Sequence, residues 1–155
     1  MISPELLRRY PFFGPLDEEQ LRAVAMLADQ ERIESGTILF EEGKPADTFY
    51  LLMEGSVNLF YFVEEERRPL TGKEFPVGDI NPGEPFSISA LIEPHLLTSS
   101  ARTSSPCQVI RFDGQALRTL CEQDKRLGYT FMKQLAACAM ERLNSTRVQL
   151  AAAWA

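Results

Sequence analysis

The sequence predicts an α+β chain, mainly β: an antiparallel double-stranded β-roll or jelly roll with a helix before it and two after, the last one long. Three observations predict this. Between about residues 30 and 112, short β-branched and aromatic runs alternate with glycine or proline turns, the spacing of an antiparallel sandwich or barrel. On either side of that stretch the apolar period is helical. The 155 residues also suit one domain, 1–155, with room for a proper core.

The elements follow in order. Asp17 can cap a helix, and Gln20 three residues on can reach back to close a capping box. Leu21, Val24, Ala25, Leu27 and Ala28 then recur at helical spacing, which predicts a helix over about 17–29. Pro4–Tyr10 adds a short helical turn before Pro11. The strand-like runs are Arg32–Ile33, Thr37–Phe40, Phe49–Met53, Ser56–Val63, Phe75–Val77, Leu97–Thr103 and Cys107–Phe112. Gly36, Gly43, Gly55, a charged turn at Glu64–Arg68, Gly78 and Asn81-Pro82-Gly83 separate them. Val57, Leu59 and Tyr61 alternate with Asn58, Phe60 and Phe62, so both faces of that strand carry apolar groups. This predicts a closed roll or a covered sheet.

The helical period returns over about 113–154. Asp113 can cap a helix carrying Ala116, Leu117, Leu120 and Cys121, and Asp124 opens a longer one. Its apolar positions run through Leu127, Phe131, Leu135, Ala139, Leu143, Thr146 and Leu150 to Trp154. Ala136, Ala139, Leu143, Thr146, Leu150 and Ala153 fall on a 3-4 spacing that resembles a coiled-coil seam. Two readings stand: a homodimer helix, or a helix packed only on its own roll.

Composition narrows the function. A net charge of −6 and a sequence pI near 4.9 repel phosphate backbones, so this chain alone is not expected to bind nucleic acid. Its densest basic stretches, Arg8-Arg9 and Arg67-Arg68, are pairs only. No apolar run approaches the ~20 residues of a membrane span, and no secretory-type stretch follows Met1. A cytoplasmic protein is expected. Cys107, Cys121 and Cys138 lack CxxC spacing and read as reduced, small apolar residues. Metal enzymes built on β-rolls need two or three histidines with a carboxylate, whereas this chain has one, His95. No nucleophile–base pair or glycine-rich phosphate loop stands out, so a non-catalytic protein is expected, without metal.

The stretch from Gly36 to Val57, GTILFEEGKPADTFYLLMEGSV, closely resembles the cyclic nucleotide-binding domain family. That family includes catabolite activator-like regulators, kinase regulatory subunits and gated channels. Gly43 and Gly55 stand at the family's turn glycines, where a tight hairpin requires positive φ. The resemblance covers about residues 8–150, including Glu141-Arg142-Leu143. It implies the β-roll fold and a phosphate-binding cassette. The family's cassette reads roughly Pro-Gly-Asp-x-Phe-Gly-Glu-x-(Ser/Ala)-Leu, then a short loop, then Arg-(Ser/Thr)-Ala.

This chain departs from that pattern. It reads Pro82-Gly83-Glu84-Pro85-Phe86-Ser87-Ile88-Ser89-Ala90-Leu91, the loop Ile92–Leu96, then Leu97-Thr98-Ser99-Ser100-Ala101. Ser87 stands at the family's glycine, and Ile88 at the glutamate that grips the ribose. Leu97 stands at the arginine that pairs with the cyclic phosphate; a one-residue slip puts Thr98 there instead. Arg102 has the opposite strand parity and does not substitute. Losing both anchors is expected to weaken cyclic nucleotide binding by roughly two to four decades.

The cassette keeps the backbone amides around Phe86, Ser87, Ile88, Ser89 and Ala90 and the hydroxyls of Ser87, Ser89, Thr98 and Ser99. Such groups can hold an anion or a polar small molecule. By resemblance Thr146 faces the base; as a bare sequence position it is a neutral seam residue. Three readings therefore stand: a sensor of a non-standard small effector, a ligand-free dimerisation scaffold, and the effector half of a longer transcription regulator that binds cAMP or cGMP. No helix-turn-helix can be placed within the chain. Haem, held in some relatives by histidine or cysteine, would call on His95 with Cys107, although His95 reads first as an exposed loop residue.

Overall fold

The computed structural model describes the backbone of residues 1–65 and 68–155 and the side chains outside 64–71. The Arg67-Arg68 pair and the middle of the charged turn at 64–68 lie outside the described residues. Helix α1 spans Pro4–Arg8, followed by a 3-10 turn at Pro11–Phe13 and helix α2 at Glu18–Ala25. The capping box forms as expected: the Gln20 amide donates to Asp17 Oδ1 at 2.8 Å, and the Asp17 amide donates to Gln20 Oε1 at 3.0 Å. The helix stops sooner than its apolar spacing predicts. Ala28–Ile33 forms strand β1 instead, pairing from Ala28↔Phe112 to Ile33↔Cys107. Leu27 and Ala28 fit a helical stripe, but the sheet ladder wins.

The remaining strands are β2 (Ile38–Phe40), β3 (Thr48–Glu54), β4 (Val57–Glu65), β5 (Arg68–Ile80), β6 (Pro85–Phe86), β7 (Ser100–Thr103) and β8 (Cys107–Asp113). They make two antiparallel four-stranded sheets, ordered β1-β8-β3-β6 and β2-β7-β4-β5. β5 is longer than the expected Phe75–Val77, because Gly78 is paired with Leu59 inside the strand and does not end it: the β4–β5 register shifts between Leu59 and Phe60, leaving Val77 as the extra residue. β7 is shorter than expected, and Leu97, Thr98 and Ser99 lie before it. Helices α3 (Gly114–Gln123) and α4 (Lys125–Trp154) close the fold, capped by Asp113 and Asp124 as the sequence predicts.

The β3–β8 pair is buried on both faces. Tyr50, Leu52 and Val109 face the second sheet and pack with Val57, Ile80, Phe86 and Ala101 inside the roll. Phe49, Leu51, Ile110 and Phe112 face the helices, where they meet Phe12, Phe13, Leu117, Leu127 and Phe131. α4 is buried only at Leu127, Gly128, Phe131 and Leu135. Every residue of the coiled-coil-like seam, from Ala136 to Ala153, is exposed. The distal half of the β4–β5 hairpin corrects a second expectation: Tyr61, Phe62, Val63 and Phe75 are exposed, so both faces there are uncovered.

Gly55 turns β3 into β4 with φ 99°. A Cβ there would lie 2.5 Å from the Pro106 carbonyl oxygen and 2.7 Å from Cys107 Sγ, whereas one at Gly36 (φ 81°) would meet open space. Both positions pay the positive-φ penalty, and only Gly55 adds a backbone collision. Gly55→Ala is expected to cost about 2–4 kcal/mol and Gly36→Ala about 1 kcal/mol, compared by urea unfolding.

Candidate functional site

The cassette begins where β5 ends. At the Asn81–Glu84 turn, the Gly83 amide (φ 89°) donates to the Leu52 carbonyl at 2.7 Å, and the Leu52 amide donates to the Glu84 carbonyl at 3.0 Å. This fixes β6 against β3, with Tyr50 opposite Phe86 and Leu51 opposite Pro85. The Phe86 and Tyr50 rings stack with centroids 4.8 Å apart and planes 6° apart, and Phe40 lies 6.3 Å from Phe86. Burial raises the Tyr50 phenol above its ordinary range; nearby Glu31 adds to this and Arg111 opposes it.

Ser87 then takes φ 57°, ψ 42°, the left-handed region. The resemblance predicts glycine at this position, and the backbone supplies the reason: the turn from β6 into the 3-10 segment Ile88–Leu91 needs positive φ. Ala90 and Leu91 are buried, and Ile88 packs, half-buried, on the helix-side core. Ser89 and Ser99 are half-buried and Thr98 is exposed. Leu97 is 6 % exposed and belongs to the same core as Ile88. The loop around it is stitched to the Gly43 turn: the Leu97 amide donates to the Lys44 carbonyl, and the Gly43 amide to the Leu97 carbonyl, both at 2.9 Å.

The structure places Ile88, Ala90 and Leu97 in one core cluster on the helix side, whereas Phe86 points into the roll interior. Thr146 is exposed on α4, where its hydroxyl donates to the Arg142 carbonyl one turn back. Arg102 is committed to the outer face of the roll. It pairs with Glu74 through two hydrogen bonds of 2.6 and 2.9 Å and lies 4.6 Å over the Phe60 ring. Cys107 sits in the roll interior, its thiol directed at the Ser56 and Ser105 carbonyls. Among the described residues no three His, Cys, Asp or Glu side chains converge as a metal site.

Two side chains absent from the sequence reading of the cassette hold it in place. Arg118 of α3 donates to the Ala90 carbonyl at 2.6 Å, and Arg142 of α4 donates to the Pro85 carbonyl. One guanidinium therefore sits at each end of the cassette. A signal for Arg142 exists in the sequence: Phe131, Leu135, Cys138 and Arg142 fall on one helix face at 4-3-4 spacing, so an arginine continues the buried stripe. Arg118 likewise shares a face with Gly114 and Cys121.

A two-sheet β-roll with an N-terminal helix, a short-helix cassette and a long C-terminal helix is the architecture of a ligand-responsive regulatory domain. Comparison with known proteins makes the assignment specific. The family model for the cyclic nucleotide-binding domain matches residues 30–124, and the chain belongs to that family. A Geobacter metallireducens protein assigned to cyclic nucleotide binding is 38 % identical, with a TM-score of 0.81 over 92 % of this chain and 99 % of that one. A CRP-like cAMP-activated global transcriptional regulator of Mycobacterium tuberculosis is 25 % identical over 95 % of this chain and 61 % of its own length. This chain thus spans about 61 % of that curated relative. The sensor domain of the transcriptional regulator DNR from Pseudomonas aeruginosa shares the fold at 22 % identity, with a TM-score of 0.68 over 90 % of each chain.

The left-handed conformation at Ser87 gives a direct test of the turn. Ser87→Gly is expected to stay within about 1 kcal/mol of wild type, since relief of strain offsets added chain entropy. Ser87→Val, β-branched at positive φ, is expected to lose about 2 kcal/mol in the same unfolding measurement.

Proposed function

We propose that this domain is a non-catalytic sensor whose cassette takes a small polar or anionic effector without the usual ribose and phosphate anchors. The observation that carries the reading is the placement of Ile88 and Leu97. Both positions that the family uses to grip a cyclic nucleotide belong here to the hydrophobic core. A cyclic phosphate beside them would lack its charge partner, and burying an uncompensated anion is costly. Arg102 is engaged elsewhere by Glu74. The groups left to an effector are the cassette amides and the hydroxyls of Ser87, Ser89, Thr98 and Ser99, with Thr146 the helix-borne candidate.

The output in this reading is α4. Arg118 and Arg142 join the cassette to both C-terminal helices, so an effector that prefers one cassette position also shifts the helices, by no more than its differential affinity. The exposed seam, with Leu143 and Leu150, and the neighbouring Met140 and Val148 support a homodimer through α4. A ligand-free scaffold is the second reading, favoured by the Phe86–Tyr50–Phe40 stack, which fills the roll beside the cassette. Cytoplasmic location fits either reading. No helix of the described residues is long and apolar enough to cross a membrane.

Calorimetric titration with cAMP and cGMP tests the first reading, and no saturable heat is expected up to about 1 mM ligand. Micromolar binding would overturn the missing-anchor argument and point to Arg118 or Arg142, the guanidinium groups that touch the cassette. For the partner, light scattering is expected to give twice the 17.5 kDa chain mass. Leu143→Glu with Leu150→Glu should return it to the monomer, because two carboxylates in an apolar seam oppose association.

A further inference from the structure

We propose that the cavity between the cassette loop and the α3–α4 elbow is a second ligand site, taking a small amphipathic monoanion such as an aromatic or aliphatic carboxylate. The cavity lies outside the roll, so this site stands or falls separately from the effector reading above. Its volume is ≈ 520 Å³, within the range of roughly 300–1,000 Å³ that suits small-molecule ligands. The elbow owes its shape to Gly128, where a Cβ would stand 2.5 Å from the Cys121 carbonyl oxygen. Only glycine lets α4 turn back that closely on α3.

The lining has an apolar side and a cationic side. Leu91, Tyr129 and Met132 provide the first; Leu91 is buried, while Tyr129 and Met132 are exposed although nothing polar engages them. The Cys121 thiol adds to this wall and stays neutral, pushed up to about 11 chiefly by burial and further by Asp124 and Glu122. On the cationic side stand Arg118 and Lys125.

Arg118 decides the sign of the ligand. It is half-buried, its hydrogen-bond partner is the neutral Ala90 carbonyl, and among the described residues it forms no ion pair. A guanidinium partly removed from water whose hydrogen bond goes to a neutral carbonyl keeps N–H donors that an incoming carboxylate would pair with, although Asp29, Asp47 and Asp113 line a neighbouring cavity with it. Glu93 and Glu122 also line the cavity, but both are exposed, so solvent and salt screen them. An occupant would touch the cassette through Leu91 and the elbow through Lys125 and Gly128, bridging the parts that Arg118 already joins.

The probe is 8-anilinonaphthalene-1-sulfonate, an aromatic monoanion whose fluorescence rises on transfer to an apolar site, titrated into the full chain at physiological salt. Saturable binding at about 10–100 μM is expected. Lys125→Glu and Met132→Asp should each weaken it by at least about tenfold. Both positions are exposed, and an acid at the first position of a helix is favourable, so neither variant should lower the melting temperature appreciably. Phe62→Ser, in the exposed apolar hairpin, should leave binding unchanged. The proposal is overturned by no saturable signal up to about 1 mM, by binding that ignores both cavity variants, or by binding lost in Phe62→Ser instead.

Discussion

Five phenylalanines tie the N-terminal turn, the roll and the long helix into one body. Phe12 sits 5.1 Å from Phe13, 5.8 Å from Phe49 and 5.6 Å from Phe131, while Phe112 lies 5.6 Å from both Phe13 and Phe49. Edge-to-face and tilted pairs at such spacing add to the stabilisation that their burial already gives. The cluster packs on one face of the β3–β8 pair, whose other face forms the roll interior. Any change in the roll that moves these two strands is therefore felt by α4, and the converse also holds. The arginine contacts to the cassette are meaningful only because this aromatic joint fixes the distance between α4 and the sheet.

The cassette combines a conserved shape with altered chemistry. Ser87 accepts a backbone conformation that glycine would adopt more easily, so the turn persists although the residue has changed. Ile88 and Leu97 turn apolar groups into the helix-side core. Shape is set by main-chain hydrogen bonds and turn geometry, which tolerate many side chains. Ligand preference rests on a few charged atoms and is far less tolerant of exchange.

The sequence revealed the fold more readily than the site. Glycine and proline turns marked the strands because turns demand particular φ values, and Asp17, Asp113 and Asp124 marked the helix starts because each had an amide to cap. The errors occurred where two periods agree over a few residues. Leu27 and Ala28 suit a helix stripe and a strand equally, and only pairing with Phe112 decides between them. Gly78 looked like a strand end, yet it pairs with Leu59 within one, next to the bulge at Val77. In the site, the cassette segment was legible as a run of residues. Its arginine supports were not, because Arg118 and Arg142 act on backbone carbonyls distant in sequence, and a carbonyl leaves no trace in residue identity.

The uneven anchoring of α4 has a mechanical consequence. The helix is 30 residues long, and its last buried residue is Leu135. Beyond Arg142, whose guanidinium still holds the Pro85 carbonyl, the free portion to Trp154 is a rigid arm of about 18 Å, so a tilt of roughly 10° would swing its tip by about 3 Å. A displacement too small to repack the aromatic joint thus grows, at the far end, to about half a helical turn. The domain is geared: slight motion near the roll becomes larger travel at the tip of α4.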